Sequence, residues 1–292
     1  MRNPLVQLGV AVLFLFPAFA APLAGQQPAP PGDRGVQVGV PDGAASGDGG
    51  ASNRRRPTGP PAPAPRSADG RALLGGSAEQ KGLWLPGPVI PNPLGLPPAA
   101  ELPYKPWARA LRADRQTHRL EPHARCKPSG GARVFLTPYG VEIVEAPEHQ
   151  RVYVFDVGGP HTFRTIYTDG RTHPNVLEPT YYGHSIGWWE GDTLVVDTVG
   201  FNEAFWFDRS GMPHTEKLRT LERFTRVDMD TLRYELTIDD PGAYTAPFTG
   251  RVNLIRERET ELFEFVCQQA NYAHELMVGQ GTSVDRSRTH IP

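Results

Sequence analysis

The second half of the chain repeats short segments in which apolar and polar residues alternate. A period of two is typical of β-strands with one buried face. The segments that follow this period are 141–145, 151–155, 162–167, 185–189, 193–199, 221–227, 232–238, 248–255 and 262–267. Tight polar turns separate several neighbours, and the clearest are Glu190-Gly191-Asp192 and Asp228-Met229-Asp230. Such turns predict antiparallel hairpins, so the sequence indicates an all-β meander.

We expect this meander to close into a barrel. An open sheet of so many strands without covering helices would leave two exposed edges, and closure removes them. The predicted fold is therefore a calycin- or lipocalin-like barrel, and a β-sandwich is the alternative. One short helix is predicted ahead of the strands, from Tyr104 to about His118, because Pro106 suits the first turn and Trp107 and Leu111 share a face.

The chain begins with a segment typical of export signals. Arg2 is followed by an apolar run from Leu5 to Ala21 that ends in small residues. This layout predicts a cleaved secretory signal peptide over residues 1–21, and a retained membrane anchor is the alternative. We therefore expect a periplasmic or secreted protein, with membrane association on the periplasmic face as a further option.

Proline and glycine, of which the chain has 31 each, are concentrated between residues 22 and 103. A segment of this composition buries too little apolar surface to offset its ordering entropy. The sequence therefore predicts an extended or disordered arm over 22–103. The β domain is then expected over 104–270, with a C-terminal tail over 271–292.

The charge balance argues against nucleic acid as a partner. The 30 Lys and Arg residues face 32 Asp and Glu residues, so no basic field is available for a phosphate backbone. The cluster Arg54-Arg55-Arg56 in the arm could contact anionic lipid or an acidic patch of another protein, although a solubilising role is the simpler interpretation.

The two cysteines stand at opposite ends of the β domain. Cys126 precedes the first predicted strand and Cys267 ends the last. In an exported protein this arrangement predicts a disulfide. A nucleophilic or metal-binding thiol is the alternative, but neither cysteine has a second Cys two residues away or a paired His.

Three histidines, His173, His184 and His214, lie in glycine- and proline-containing turns beside the strands. If these turns converge at one mouth of the barrel, the imidazoles could bind zinc or copper and leave a position for water. Glu222 would then be a candidate general base. Structural hydrogen bonding within the turns is the simpler alternative, so our main expectation is no cofactor.

Several large aromatic residues are candidates for a partner or ligand surface. Adjacent residues on a strand point to opposite sides, so one residue of the pair Trp188-Trp189 is expected in the core and the other at the surface. Aromatic clusters at barrel mouths bind apolar ligands or proteins, and core packing is the alternative. The candidates are Trp84, Trp107, Trp188, Trp189, Phe205 and Trp206.

Four segments, 103–108, 167–174, 183–198 and 237–245, resemble a family of exported bacterial proteins of unknown function found in acidobacteria and gemmatimonads. The longest segment reads GHSIGWWEGDTLVVDT. The resemblance extends from about Leu102 to Gln269 and implies export and a compact β domain, but no activity.

The chain also departs from the pattern of this family. Met212 and Arg219 stand where relatives often carry His, Trp188 replaces a basic residue, and Phe248 replaces a Trp. The loss of two imidazoles near His214 weakens the case for a metal enzyme.

Three classes of function remain open at this stage. The leading hypothesis is a non-catalytic periplasmic module that docks as an extrinsic subunit on a membrane complex through its arm and barrel surface. By analogy with gemmatimonad membranes, a photosynthetic reaction centre or antenna is one such complex. Its partners would be protein subunits of the envelope, with the membrane surface as a further contact. The alternatives are a metal-dependent enzyme that uses the three histidines and a lipocalin-like carrier of an apolar small molecule.

Overall fold

The computed structural model of the protein describes residues 60–76, 82–86, 94–119, 121–137, 139–156, 162–258, 260–264 and 267. Within these residues, nine strands close into one barrel, in which each strand pairs with the next and the last pairs with the first. The strands are β1 (Gly82–Pro86), β2 (Val141–Ala146), β3 (Arg151–Asp156), β4 (Phe163–Tyr167), β5 (His184–Glu190), β6 (Thr193–Val199), β7 (Arg219–Arg226), β8 (Thr231–Asp239) and β9 (Phe248–Arg258). The predicted all-β barrel is confirmed.

The pairing follows the predicted meander except at one place. β5 and β6 pair antiparallel around the turn at Gly191, and β7 and β8 do so around residues 227–230. β4 and β5 instead pair in parallel, and only through Ile166 with Ser185 and Tyr167 with Ile186. A parallel pair requires a long crossover, which residues 168–183 provide. The prediction of antiparallel neighbours throughout is wrong at this pair.

The strand that closes the barrel lies in the part of the sequence assigned to the arm. In β1, Trp84 stands opposite Val141 of β2 and Arg256 of β9. The central three residues of β1 are all buried, so this strand shows no alternation by which it could be recognised. Of the last predicted segment, 262–267, the structure describes 262–264 and 267, and these residues are not in a strand. Nine strands were predicted and nine are found in the described residues, but β1 stands in place of the strand predicted over 262–267.

Residues 60–76 pack across the hairpin end of the barrel. Arg66 donates two hydrogen bonds to the carboxylate of Asp192, at 2.9 and 3.0 Å, in the β5–β6 turn. Arg71 pairs with Glu145 near the end of β2 at 2.9 Å. This part of the predicted arm therefore belongs to the folded domain. The predicted signal peptide, residues 22–59 and the predicted tail from 271 lie outside the described residues.

The barrel interior is filled by side chains. A 3₁₀-helix, Gly131–Leu136, is almost fully buried and places the ring of Phe135 4.6 Å from that of Tyr234 and 5.4 Å from that of Phe224. Tyr234 and Phe224 belong to the buried core and stand opposite each other on β8 and β7. Two further 3₁₀-helices span Pro122–Arg125 and Pro147–His149.

The predicted helix is present as α1 (Pro106–His118). Its buried residues are Ala108 and Arg115. None of the described helices is long and apolar enough to cross a membrane.

The predicted disulfide between Cys126 and Cys267 is present, with a Cα–Cα distance of 5.5 Å. It joins the chain ahead of β2 to the chain that follows β9.

Candidate functional site

Two of the three candidate histidines lie in contact on the outside of the barrel. The Nδ1 atoms of His173 and His184 are 2.8 Å apart, and the two rings meet edge to face. His184 is the first residue of β5, and His173 comes from the crossover of residues 168–183. The crossover required by the parallel β4–β5 pair therefore brings the two imidazoles together.

Asp197 on the adjacent strand β6 completes this group. Its Oδ2 lies 3.4 Å from Nε2 of His173, an ion-pair distance without hydrogen-bond geometry. Arg219 on β7 donates two hydrogen bonds to the same carboxylate, both at 2.8 Å. Burial by itself would raise the pKa of Asp197, but Arg219 and His173 lower it below its usual value. Asp197 is therefore ionised at neutral pH.

The electrostatic surroundings keep His184 uncharged. Burial, followed by the proximity of His173 and Arg171, lowers the pKa of His184 below its ordinary value. The His184 ring also stacks on Tyr167 at 5.3 Å between centroids, and the Arg171 guanidinium lies 3.9 Å from the Tyr167 ring. These contacts fix the orientation of the imidazole.

A cleft of about 460 Å³ opens beside His184. It lies between β4 and residues 180–184, where the β4–β5 pairing covers only two residues of each strand. Aromatic side chains form much of its wall, among them Phe163, Tyr167, Tyr181 and Tyr182. The cleft gives solvent or a partner side chain access to the neighbourhood of His184.

His214 lies apart from this pair. It is buried, with Nε2 3.0 Å from the carbonyl oxygen of Phe205 and its ring packed against those of Phe205 and Phe207. Burial lowers its pKa to about 4. In the described part of the chain, no three or more His, Cys, Asp or Glu side chains are arranged to hold a metal ion. The expected site of three converging histidines is therefore not formed, because the turn that carries His214 packs into the core.

Glu222 does not stand beside the histidines. It lies inside the barrel in an ion pair with Arg164, and the hydroxyl of Tyr234 donates to its Oε1 at 2.8 Å. A carboxylate held by a guanidinium and a phenol in the core is not placed to act as a general base, so this assignment is not supported.

The aromatic candidates divide between the core and the surface. Trp84, Phe205 and Trp206 are buried and cannot form the expected contact surface, since the strand β1 and the turn before His214 carry them inward. Trp189 packs against the core, with the Arg71 guanidinium 3.7 Å from its ring. Trp188 and Trp107 are exposed at 43% and 44%.

A group of outward-facing aromatic residues, of which Phe163 is exposed and Tyr153 and Phe155 are half-buried, was not predicted from the sequence. Tyr153 and Phe155 on β3 and Phe163 on β4 point outward, with ring centroids 6.0 to 6.3 Å apart. Phe163 is 57% exposed and also borders the cleft. The signal was present in the sequence RVYVFD of β3, in which the outward positions carry aromatic rather than polar residues. We call these three residues the outer aromatic patch.

These observations define the chain as a disulfide-linked, closed β-barrel with a filled interior and its candidate sites on the outer face of β3 to β6. Comparison with protein-family models, with curated proteins and with solved structures finds no match to the chain.

Proposed function

We propose that the protein is a non-catalytic docking module of the periplasm, an extrinsic subunit that binds a membrane protein complex. The observation that carries this proposal is the outer aromatic patch. Large aromatic side chains grouped on an outward strand face are typical of protein-binding sites. Single exposed aromatic side chains, by contrast, are common on protein surfaces and need no explanation.

The three rings of the patch point outward from the barrel. Phe155 and Phe163 stand directly opposite each other on neighbouring strands, and Tyr153 lies two residues before Phe155 on the same face. Because the strands hold the rings in place, little side-chain entropy is lost on binding. Full burial of an exposed ring contributes roughly 1.5–3 kcal/mol. The gain is greatest at Phe163, because Tyr153 and Phe155 are already half-buried.

The partner we expect presents apolar side chains to this patch and fits a side chain into the adjoining cleft. A periplasmic loop or subunit of a membrane complex has this chemistry, and a photosynthetic complex, by the analogy with gemmatimonad membranes, is one candidate. Residues 22–59, rich in proline and glycine, are proposed as a second contact with the same complex.

The interior of the barrel favours this role over that of a small-molecule carrier. The rings of Phe135, Phe224 and Tyr234 and the ion pair of Arg164 with Glu222 occupy the space that a lipocalin would offer to its ligand. A ligand would have to displace a well-packed core, at a cost of several kcal/mol.

The proposal is tested by capture of the full chain from gently solubilised native membranes. Wild type is compared with Phe163→Glu, which places a charge in the patch, and with Val176→Glu, which places the same charge at a position 88% exposed in the crossover. We expect wild type and Val176→Glu to retain the same integral membrane proteins in stoichiometric amounts. Phe163→Glu should retain at least about tenfold less, which corresponds to a loss of about 1.4 kcal/mol.

Three results would overturn the proposal. One is a wild-type protein that remains in the soluble fraction without partners, and another is a set of partners that Phe163→Glu retains unchanged. The third is equal binding of all variants to protein-free vesicles containing anionic lipid, which would indicate a membrane surface rather than a protein. Thermal unfolding of each variant establishes that the charge has not unfolded the barrel.

A further inference from the structure

The contact between His173 and His184 joins the same nitrogen of two imidazoles. Their Nδ1 atoms are 2.8 Å apart. Two neutral imidazoles that face each other in this way share a single proton, because one Nδ1 must donate and the other must accept. An Nδ1 atom that carries no proton has a lone pair, and such a nitrogen is a good ligand for a transition metal.

The separation of the two nitrogens indicates the geometry of such an ion. With metal–nitrogen bonds of about 2.0 Å, an N···N distance of 2.8 Å corresponds to an angle of about 90° at the metal. This is the angle between neighbouring ligands of a square-planar or tetragonal ion, whereas a tetrahedral ion would need nitrogens about 3.3 Å apart. Among divalent ions of tetragonal preference, copper binds imidazole most strongly.

Asp197 occupies the position of the outer partner of a metal-bound imidazole. Histidine ligands almost always present their second ring nitrogen to a carboxylate or carbonyl, which fixes the tautomer and the ring orientation. Nε2 of His173 faces Asp197 at 3.4 Å, which leaves Nδ1 as the ligand. Arg219 in turn holds the carboxylate through two hydrogen bonds.

The formal charges of the ionised side chains around the pair cancel. Arg171 donates several hydrogen bonds to Asp169, and Arg219 is matched by Asp197, so these four groups carry no net formal charge. His184 also borders the cleft of about 460 Å³, which has room for the water molecules that would complete the coordination.

We propose that His173 and His184 bind one Cu²⁺ ion through their Nδ1 atoms, with Asp197 as the positioning residue and water in the remaining positions. Binding moves the proton shared by the two rings from Nδ1 to Nε2 of the ring that carries it, so both imidazoles stay neutral and the ion replaces a hydrogen bond between β5 and the crossover. The assignment of this site does not rest on the docking function proposed above, although Phe163 of the outer aromatic patch and His184 border the same cleft.

The test is titration of the untagged full chain with Cu²⁺ alone, followed by calorimetry and electron paramagnetic resonance. Wild type is compared with His173→Gln, His184→Gln and Asp197→Asn. The matched control is His149→Gln, which removes a histidine that is 67% exposed and pairs with Glu148 in a 3₁₀-helix.

We expect wild type and His149→Gln to bind about one equivalent, with a tetragonal spectrum that shows coupling to nitrogen. Each of His173→Gln and His184→Gln should weaken binding by at least about tenfold, and Asp197→Asn by about 10- to 100-fold. Copper should also raise the Tm of wild type, as any ligand of the native state does, but not the Tm of the two histidine variants.

Copper binding that survives both histidine substitutions would overturn the proposal, and so would a wild type that binds no copper. A spectrum without coupled nitrogen would have the same consequence. Because Asp197→Asn retains both ligands, a weakened site in that variant, with its Tm in the absence of copper unchanged, separates the positioning role from a general loss of structure.

Discussion

Arg164 and Glu222 form an ion pair inside the barrel, and each side chain is 1% exposed. Nη1 of Arg164 donates to Oε1 of Glu222 at 2.9 Å, and the hydroxyl of Tyr234 donates to the same oxygen. The remaining donors of the guanidinium reach the hydroxyls of Ser185 and Thr198 at 2.9 and 2.7 Å. The network joins β4, β5, β6, β7 and β8 across the core, and burial beside Glu222 raises the pKa of Tyr234 well above its usual value.

Replacement of Glu222 by Gln should destabilise the protein strongly. The substitution leaves the buried guanidinium of Arg164 without a compensating charge, and removing one partner of a buried pair typically costs 3–5 kcal/mol. Urea unfolding measures the change in the free energy of unfolding. The double variant Arg164→Met, Glu222→Leu should lose much less than Glu222→Gln, since it removes both charges. A cost below about 1 kcal/mol for Glu222→Gln would contradict the structure.

Stability should fall as the pH falls from about 6.5 to about 4 because of two buried histidines. Burial, above all other influences, lowers the pKa of His123 and of His214 to about 4. Both are therefore neutral in the folded protein over this range while their unfolded forms bind protons. Each contributes stability that is fully present above about pH 6.5 and is lost as the pH approaches 4, to a total of roughly 3 kcal/mol per group.

Urea unfolding at several pH values tests this expectation. His214→Phe, which cannot titrate, should remove about half of the loss between pH 6.5 and 4, whereas exposed His149→Gln should leave it unchanged. A pH dependence that is the same in wild type and His214→Phe would exclude His214 as its source.

Trp84→Ala should show that β1 is part of the barrel. Trp84 is 2% exposed, and its Nε1 donates to the carbonyl oxygen of Leu74 at 2.9 Å. Loss of so large a buried side chain costs roughly 3–5 kcal/mol. Trp188→Ala is the matched control, because Trp188 is exposed on β5 and should cost less than about 1 kcal/mol. Equal effects of the two substitutions on the free energy of unfolding would argue against the closure by β1.

Gly183→Ala should disturb the position of His184. Gly183 has a φ of 64°, and a Cβ atom there would lie 2.6 Å from the carbonyl oxygen of Val199. Gly170 has a similar φ of 78° but has no atom within 4 Å of a Cβ. Gly170→Ala should therefore cost only the backbone strain of about 1–2 kcal/mol. Gly183→Ala should lower the Tm by more than Gly170→Ala does. Equal losses of Tm in the two variants would show that the backbone at Val199 moves to accommodate the Cβ atom.

Much of the fold could be predicted from local patterns. Alternation identified β2 to β9, and the turns at Gly191 and at residues 227–230 identified two hairpins, because these features arise between residues close in sequence. β1 escaped because both of its faces are buried, so its pattern is apolar throughout and lies among prolines. The parallel β4–β5 pair was not predicted either, because the sequence of a strand does not determine whether its neighbour runs parallel or antiparallel to it.

The candidate site was predicted only in part. The positions of His173 and His184 in turns beside strands suggested a group of imidazoles, and the structure brings these two together. His214 has the same local setting, a turn with glycine and proline, yet it lies in the core. The difference depends on which way each turn folds against the barrel, and this is set by packing with residues distant in sequence, such as Tyr244, whose hydroxyl donates to the carbonyl oxygen of Pro213, and Asp240, which accepts a hydrogen bond from the backbone of Thr215.

The amino-acid sequence by itself determined the all-β class, most of the strands and the pairing of Cys126 with Cys267, because alternation, turn chemistry and the presence of two cysteines are local or compositional properties. Only the tertiary structure decided that Gly82–Pro86 closes the barrel and that Glu222 forms an ion pair with Arg164 in the core. It also decided that Tyr153, Phe155 and Phe163 face outward beside the His173–His184 pair. These relationships join residues that are far apart in the chain, and the free energy that selects them comes from packing the whole barrel at once.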